Sequence, residues 1–380
     1  MFSFASPQTI HFGRGQSQQA ATIAKGFGDS ILLVHGANAK RAEWLVTSCR
    51  DAGLTIKTMA CQNEPSLPDI ERALARMQYF RPAVVIGLGG GSVIDFAKAL
   101  AALIPCAGPA LSYLEVVGDG RPLDASPIPM IALPTTAGTG AEVTKNAVIS
   151  VPERGLKVSL RDPRMIPQLA IVDAGLMQGA PRHVTLAAGL DAVTQVIEPY
   201  LSIKSNPMSD AICRAAIPVG LRELRDVVEN DTPDAWDAMA WVSTCGGLAL
   251  ANAGLGAVHG FAGVIGGKTN APHGEICGTL LPAVLESHLR KAKENTDIHE
   301  RLSWVLGQID THFAMGRQGD GLTELRQWST TLGLRSLKDL GLASGDYGEV
   351  ADAAAKASSL KGNPFSLTHV DLIEILRAAS

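Results

Sequence analysis

An α/β domain with a parallel sheet, followed by an all-α helical domain, is the fold class this sequence predicts, and three observations predict it. Short β-branched runs alternate with helical patterns through the first half, at Ile31–Val34, Ala83–Ile86 and Pro129–Leu133, with helices expected over Ile70–Gln78 and Val93–Leu103. Such alternation builds a parallel sheet covered on both faces, whose strands read as continuous apolar runs. Beyond about residue 178 the strand signal fades, and Asn206-Pro207 and Thr232-Pro233 each present an N-cap with proline at the first helical position. Long helical patterns then run through Leu224, Leu250 and Val284 and near Val370–Ala379. The expected domains are 1–178 and 179–380.

Composition narrows the class. The chain has 380 residues, enough for two cores, with 46% hydrophobic and 18% charged residues and a net charge of −4. Its basic clusters amount to Lys40-Arg41 and Lys291-Ala-Lys293. A nucleic-acid partner is not expected, because binding would require clustered cations to neutralise phosphates. Six cysteines without a C-x-x-C pair argue against a zinc ribbon or a disulfide framework and favour a reduced, cytoplasmic setting. No signal peptide is expected, since no basic n-region followed by an apolar h-region opens the sequence, and no membrane span, since no charge-free apolar run of about 18 residues occurs.

Two loops carry candidate chemistry in the first half. The strand ending at Ile86 runs into Gly87-Leu-Gly-Gly-Gly-Ser92 before a helix. Glycines let backbone N–H groups approach a phosphate, and the helix start adds unpaired N–H groups and the positive end of its dipole. The pattern is not G-x-G-x-x-G, because Ser92 stands three residues after Gly89. A Gly-rich strand-to-helix turn without a ligand is the plainer alternative. The second loop, Pro134–Val143, places hydroxyls and glycines at a strand's C-terminal end, where open α/β sheets bind ligands.

The second half holds a candidate metal constellation. Asp191 and Gln195, four apart, share one helix face beside the stripe Leu186, Leu190, Val193 and Ile197. His259 lies in a small-residue segment, and His273 follows Pro272 at an expected helix start, leaving room for a helix, a turn and a return. Four such donors from different helices could hold a divalent ion; ordinary buried polar residues are the alternative. The other seven histidines, and Cys277 near His273, read as surface or packing residues.

Taken in order, these segments resemble the iron-containing alcohol dehydrogenase family over nearly the whole chain. The carriers are Ile10–Gly15, Gly89–Lys98, Pro134–Gly140 with Glu142-Val-Thr144, Gly189–Thr194, His259-Gly260, Pro272-His273-Gly274 and Asn363-Pro364. The resemblance implies a Rossmann-like N-terminal domain and a helical C-terminal one, the dehydroquinate synthase-like fold of these dehydrogenases. It implies that Gly89, Gly90, Gly91 and Ser92 hold a pyrophosphate, with Asp95 beside the cofactor. Thr135, Thr136 and Thr139 would line the dinucleotide cleft, and Lys157 would reach toward the cofactor. Asp191, Gln195, His259 and His273 would form the site of an Fe²⁺ or Zn²⁺ ion, in a homodimer. Two departures stand out: relatives usually carry His where Gln195 stands, and many carry His where Gly263 stands.

The expected reaction is NAD(P)-dependent, metal-assisted hydride transfer between an alcohol and an aldehyde or ketone, with no protein nucleophile required. Gly36 replaces the Asp that NAD-specific relatives carry after this strand, and Lys40 and Arg41 follow, which leans the expectation toward NADP. A metal-independent reductase of the maleylacetate reductase type and a nucleotide-binding protein without catalysis stand as the alternatives.

Overall fold

The computed structural model describes residues 1–293, 296–314 and 319–380. The chain divides into two compact units, Ser6–Thr136 with Gly140–Gln178, and Gly179–Ser380 with Met1–Ala5 and Ala137–Thr139.

The first unit is built on six parallel strands: β1 (Thr9–Phe12), β2 (Ser30–Gly36), β3 (Thr55–Cys61), β4 (Val84–Gly89), β5 (Met130–Pro134) and, after a hairpin, β8 (Leu169–Val172). The hairpin pairs β6 (Asn146–Val151) with β7 (Leu156–Arg161) in antiparallel register, Ile149 opposite Val158. Helices α1 (Ala20–Lys25), α2 (Glu43–Asp51), α3 (Leu67–Arg76) and α4 (Gly91–Leu103) complete the unit. Side chains alternate across the sheet: Ile31 and Leu33 bury into one core with Ala24, Leu45 and Cys49 of α1 and α2. Leu32 and Val34 bury into the other with Ile94 and Leu100 of α4. Both faces of β2 are therefore apolar, which is why Ile31–Val34 reads as an unbroken hydrophobic run.

Strand order β1-β8-β5-β4-β2-β3 places a topological switch between β2 and β4. From β2 the chain moves outward to β3, and from β4 it moves the other way, to β5 and β8. Their C-terminal ends therefore bound the crevice where sheets of this kind bind ligands. Strand β4 runs three residues further than the apolar run suggests, and α4 starts two residues earlier than expected. Gly87 permits the extension: a Cβ there would lie 3.0 Å from both Ala97 Cβ and Met130 Cε, so the strand, α4 and β5 close over a missing side chain.

The second unit is helical: α5 (Arg182–Leu201), α6 (Pro207–Glu229), α7 (Pro233–Ala253), α8 (Ala257–Thr269), α9 (His273–Lys291), α10 (Asp297–Phe313), α11 (Gly321–Thr331), α12 (Tyr347–Lys356) and α13 (His369–Ala378). Asn206 and Thr232 cap α6 and α7 with their side chains, ahead of Pro207 and Pro233. Helix α5 is the centre, packed by α6, α7 and α9 and buried at every position from Gly189 to Leu201. It is not amphipathic, so Asp191, Gln195 and Glu198 form a polar stripe enclosed by protein. Among the described residues no single helix is long and apolar enough to cross a membrane; α7 and α8 meet that test only jointly, across a bend of 100°.

Candidate metal centre and phosphate cradle

Glycines on α9 bring its donors to α5. A Cβ on Gly274 would lie 2.4 Å from the Ala187 carbonyl oxygen, and one on Gly278 would lie 2.6 Å from Leu190 Cδ1. Small residues let the two helices touch, and the same two turns carry His273 and Cys277 toward Asp191. Helix α8 is fixed from its first turn. Glu198 Oε1 accepts from the Val258 N–H at 2.7 Å and Asn363 Oδ1 from the Ala257 N–H at 3.0 Å, satisfying helix-end donors that otherwise lack partners. His259 therefore enters the site in the first turn of α8.

Four donor atoms converge. His259 Nε2 lies 3.3 Å from Asp191 Oδ1, and His273 Nε2 lies 3.9 Å from the same oxygen. Cys277 Sγ is 3.6 Å from His273 Nε2 and 3.9 Å from His259 Nε2. All four atoms lie within 4.8 Å of one another. Asp191 Oδ1 and Gln195 Oε1 are buried and have no hydrogen-bond partner among the described residues. Buried oxygens are rarely left so, and an unpaired one is costly.

The surroundings orient these donors. Glu198 Oε2 sits 2.6 Å from His259 Nδ1 and accepts a hydrogen bond from it, which turns Nε2 toward the cluster. Gln195 Nε2 donates to the Gly138 carbonyl at 3.0 Å, which leaves its oxygen as the free end of the amide. Burial works against the Asp191 carboxylate, yet the two imidazoles hold its pKa below the usual range. Burial likewise opposes charge on the rings. Cys277, Asp191 and Glu198 nevertheless push His259 well above the ordinary imidazole value, and Cys277 and Asp191 push His273 up to about 9. The pocket is thus built to hold positive charge. Its donors, unpaired oxygens and electrostatics fit a divalent cation.

Several predicted cofactor residues gather in the sheet unit. Gly36 ends β2, Gly89 ends β4, and Gly90, Gly91 and Ser92 open α4, whose start has no side-chain cap. The Thr135 N–H donates to the Gly89 carbonyl at 2.9 Å, drawing the second loop against the first. A Cβ on Gly89 would meet Val93 Cβ at 2.5 Å, so this glycine answers to packing. Gly90, in extended conformation, would meet only Thr136, at 3.3 Å. Asp95 accepts from the Val148 N–H at 2.9 Å and so receives the β6–β7 hairpin, while Lys157 on β7 pairs with Glu64 at 2.5 Å. Thr139 lies in the stretch that clusters with the helical unit.

Three residues without an assigned role in the sequence reading emerge. Glu198 was visible as the third member of an i, i+4, i+7 polar stripe with Asp191 and Gln195. Cys277, read from sequence as packing, stands one turn after His273 within the cluster. Lys98 is fully buried and donates to Thr144 Oγ1 at 2.7 Å and to the Asn146 carbonyl at 3.0 Å. Burial pushes its pKa down to about 8 against the pull of Asp95 and Glu142, so it serves as a buried tie for the chain entering β6.

Comparison with known proteins agrees with this geometry. Residues 7–174 match the model of the iron-containing alcohol dehydrogenases, and residues 185–380 match that of the C-terminal domain of the Fe-containing alcohol dehydrogenase family. Long-chain-alcohol dehydrogenase 1 of Geobacillus thermodenitrificans is 34% identical, the match covering 98% of this chain and 95% of that protein. Alcohol dehydrogenase 4 of Saccharomyces cerevisiae is 31% identical over 99% of this chain and 98% of its own length. The solved structure of the alcohol dehydrogenase from Oenococcus oeni superposes with a TM-score of 0.87 at 29% identity, covering all of both chains. The chain belongs to the iron-containing alcohol dehydrogenase family, as an NAD-dependent oxidoreductase that interconverts an alcohol and a carbonyl compound with the help of a divalent metal.

Proposed function

We propose that Asp191, Gln195, His259 and His273 supply the metal site of this dehydrogenase. In this reading Gly36, Gly89, Gly90, Gly91, Ser92, Asp95, Thr135, Thr136, Thr139 and Lys157 serve its dinucleotide, with NADP accepted. The observation that carries the metal site is the convergence of two imidazole Nε2 atoms on a buried carboxylate oxygen that has no hydrogen-bond partner among the described residues. Residues 1–178 would then be the dinucleotide-binding domain, and 179–380 the metal-binding and substrate domain. A cytoplasmic homodimer completes the proposal; six unpaired cysteines support the reducing compartment.

When bound, the nicotinamide would supply hydride to a carbonyl carbon or accept it from a carbinol carbon, and the cation would supply Lewis acidity toward the oxygen. The chain's own residues prepare for this. Glu198 fixes the His259 tautomer, and Gly138 holds Gln195 with its oxygen free. Asp191 stays ionised at neutral pH, its carboxyl held below the usual range by the neighbouring imidazoles. Gly90 leaves the entrance to α4 without a side chain, where helix-end N–H groups can meet pyrophosphate. The relatives are named for long-chain alcohols and for alcohols generally, so the substrate class proposed is an aliphatic alcohol with its aldehyde or ketone.

Exhaustive chelation is expected to abolish hydride transfer, and Fe²⁺, Zn²⁺ or Mn²⁺ to restore it. His259→Ala is expected to lose metal and turnover together. Full turnover by protein shown metal-free by elemental analysis would replace this reading with a metal-independent reductase.

A further inference from the structure

We infer that Cys277 is itself a metal ligand, so that the cation sits among Asp191 Oδ1, His259 Nε2, His273 Nε2 and a Cys277 thiolate. The inference rests on the reading of this cluster as the enzyme's metal site and adds a donor of different chemistry to it.

Three observations carry it. First, the sulfur is fully buried and faces His273 Nε2 at 3.6 Å and His259 Nε2 at 3.9 Å, with the Asp191 carboxylate beside it. A thiol has one proton and can serve only one of these three neighbours, and His259 already donates from Nδ1 to Glu198. Electron-pair donors pointed at one another repel unless something positive lies between them.

Second, the separations have the size of a coordination shell. With Zn–S at about 2.3 Å, Zn–N at about 2.0–2.1 Å and Zn–O at about 2.0–2.2 Å, tetrahedral angles put sulfur and nitrogen about 3.6 Å apart and nitrogen and oxygen about 3.4 Å apart. The observed sulfur–nitrogen distances are 3.6 and 3.9 Å, and the nitrogen–oxygen distances 3.3 and 3.9 Å. A van der Waals packing role would not demand that the sulfur take a corner of this figure.

Third, Gln195 is neutral and anchored to Gly138 through its nitrogen, so it brings an oxygen donor but no charge. The Cys277 thiolate brings an anionic and soft donor. Soft sulfur beside imidazole favours zinc over ferrous iron, so the structure points to a zinc-preferring member of an iron-named family. A cation held by Asp191, His259, His273 and Cys277, with Cys277 in the place of Gln195, would take an incoming oxygen as a fifth ligand, an expansion that zinc accepts.

The test uses the full-length protein stripped of metal and titrated with Co²⁺. One equivalent is expected to give the visible bands of tetrahedral cobalt together with a near-ultraviolet thiolate-to-cobalt charge-transfer band. Cys277→Ser and Cys277→Ala should lose the ultraviolet band and keep cobalt, with at least a tenfold fall in the preference for Zn²⁺ over Fe²⁺ in competition. His259→Ala should lose the visible bands as well, locating the cobalt in this cluster. If the parent binds one cobalt that His259→Ala abolishes, yet its ultraviolet spectrum matches that of Cys277→Ser, thiolate ligation is wrong and the metal site stands. If neither parent nor variants bind cobalt, both readings fail. X-ray absorption of the zinc-loaded parent decides the matter even if the variants misfold: a sulfur at about 2.3 Å upholds the inference, and a shell of nitrogen and oxygen only overturns it.

Discussion

The proposed phosphate cradle and the proposed metal cluster are made from opposite materials. The cradle is backbone: the end of β4, a glycine in extended conformation, and the first turn of α4. The cluster is side chains from α5, α8 and α9, aimed by further side chains behind them. A backbone site is damaged by adding atoms, whereas a side-chain site is damaged by removing or misaiming them. The difference also separates two adjacent glycines. Gly89 is small because Val93 occupies the space its Cβ would need, while Gly90 faces an opening bounded by Thr136.

That distinction yields the largest expected effect. Gly90→Val suits the backbone and should fold with a small shift of Thr136, which its Cβ meets at 3.3 Å, and should lose cofactor affinity on the order of 100-fold as a branched Cβ enters the phosphate path. Gly89→Ala should instead cost stability, about 1–3 kcal/mol for overpacking against Val93, with cofactor binding changed far less in the folded fraction. Cofactor titration by fluorescence beside denaturant unfolding separates the two. Equal behaviour of the two variants in both assays would erase the contrast between them.

On the metal side the sharper probe is a residue that touches no metal. Glu198 accepts from His259 Nδ1 with one oxygen and from the Val258 N–H with the other. Glu198→Gln keeps the shape but offers a single acceptor oxygen, so whichever donor meets the new NH₂ loses its bond. Metal affinity is expected to fall about 10–100-fold, the range for partners behind a ligating imidazole. Competition against a chromophoric chelator reads this directly, and an unchanged affinity would show that His259 needs no such orientation.

How legible each region was follows from the same contrast. The β4–α4 loop announces itself because its parts are contiguous: a β-branched run, three glycines and a helix start. Strands β2, β4 and β5 were legible because both their faces are buried. Edge strand β3 and the hairpin strand β7 were not, since each mixes exposed Lys, Thr or Arg with a few buried positions. In the helical unit, the N-cap and proline pairs marked where α6 and α7 begin. The cluster is harder to read because its donors are 86 residues apart at the extremes, Asp191 to Cys277, and three-dimensional closure depends on Gly274 and Gly278 rather than on any spacing rule. Cys277 was passed over because a lone cysteine has no pattern. Its meaning lies in being one turn from His273 on a face that α5 closes.

The smallest effect concerns which dinucleotide the backbone cradle accepts. Gly36 ends β2 beside the switch point, and no acidic side chain follows it before Asn38, which caps the turn carrying the exposed Lys40 and Arg41. A Cβ on Gly36 would meet its nearest neighbour, Val93 Cγ2, at 4.0 Å, an ordinary contact, and its φ is not positive. Glycine is therefore not required there by packing or by conformation, and on the proposed reading its missing side chain leaves room for a 2′-phosphate. Gly36→Asp should fold as the parent does. A carboxylate placed there would accept from the ribose 2′-hydroxyl of NAD and repel a 2′-phosphate. A charged hydrogen bond worth about 1.5 kcal/mol would move the ratio of efficiencies toward NAD roughly tenfold. Lys40→Ala with Arg41→Ala should move it the same way by weakening the phosphate's counter-charges. Measured kcat/KM for both cofactors checks each variant. A parent preferring NADH a hundredfold, or a Gly36→Asp ratio equal to the parent's, would show that cofactor choice is made elsewhere than at the end of β2.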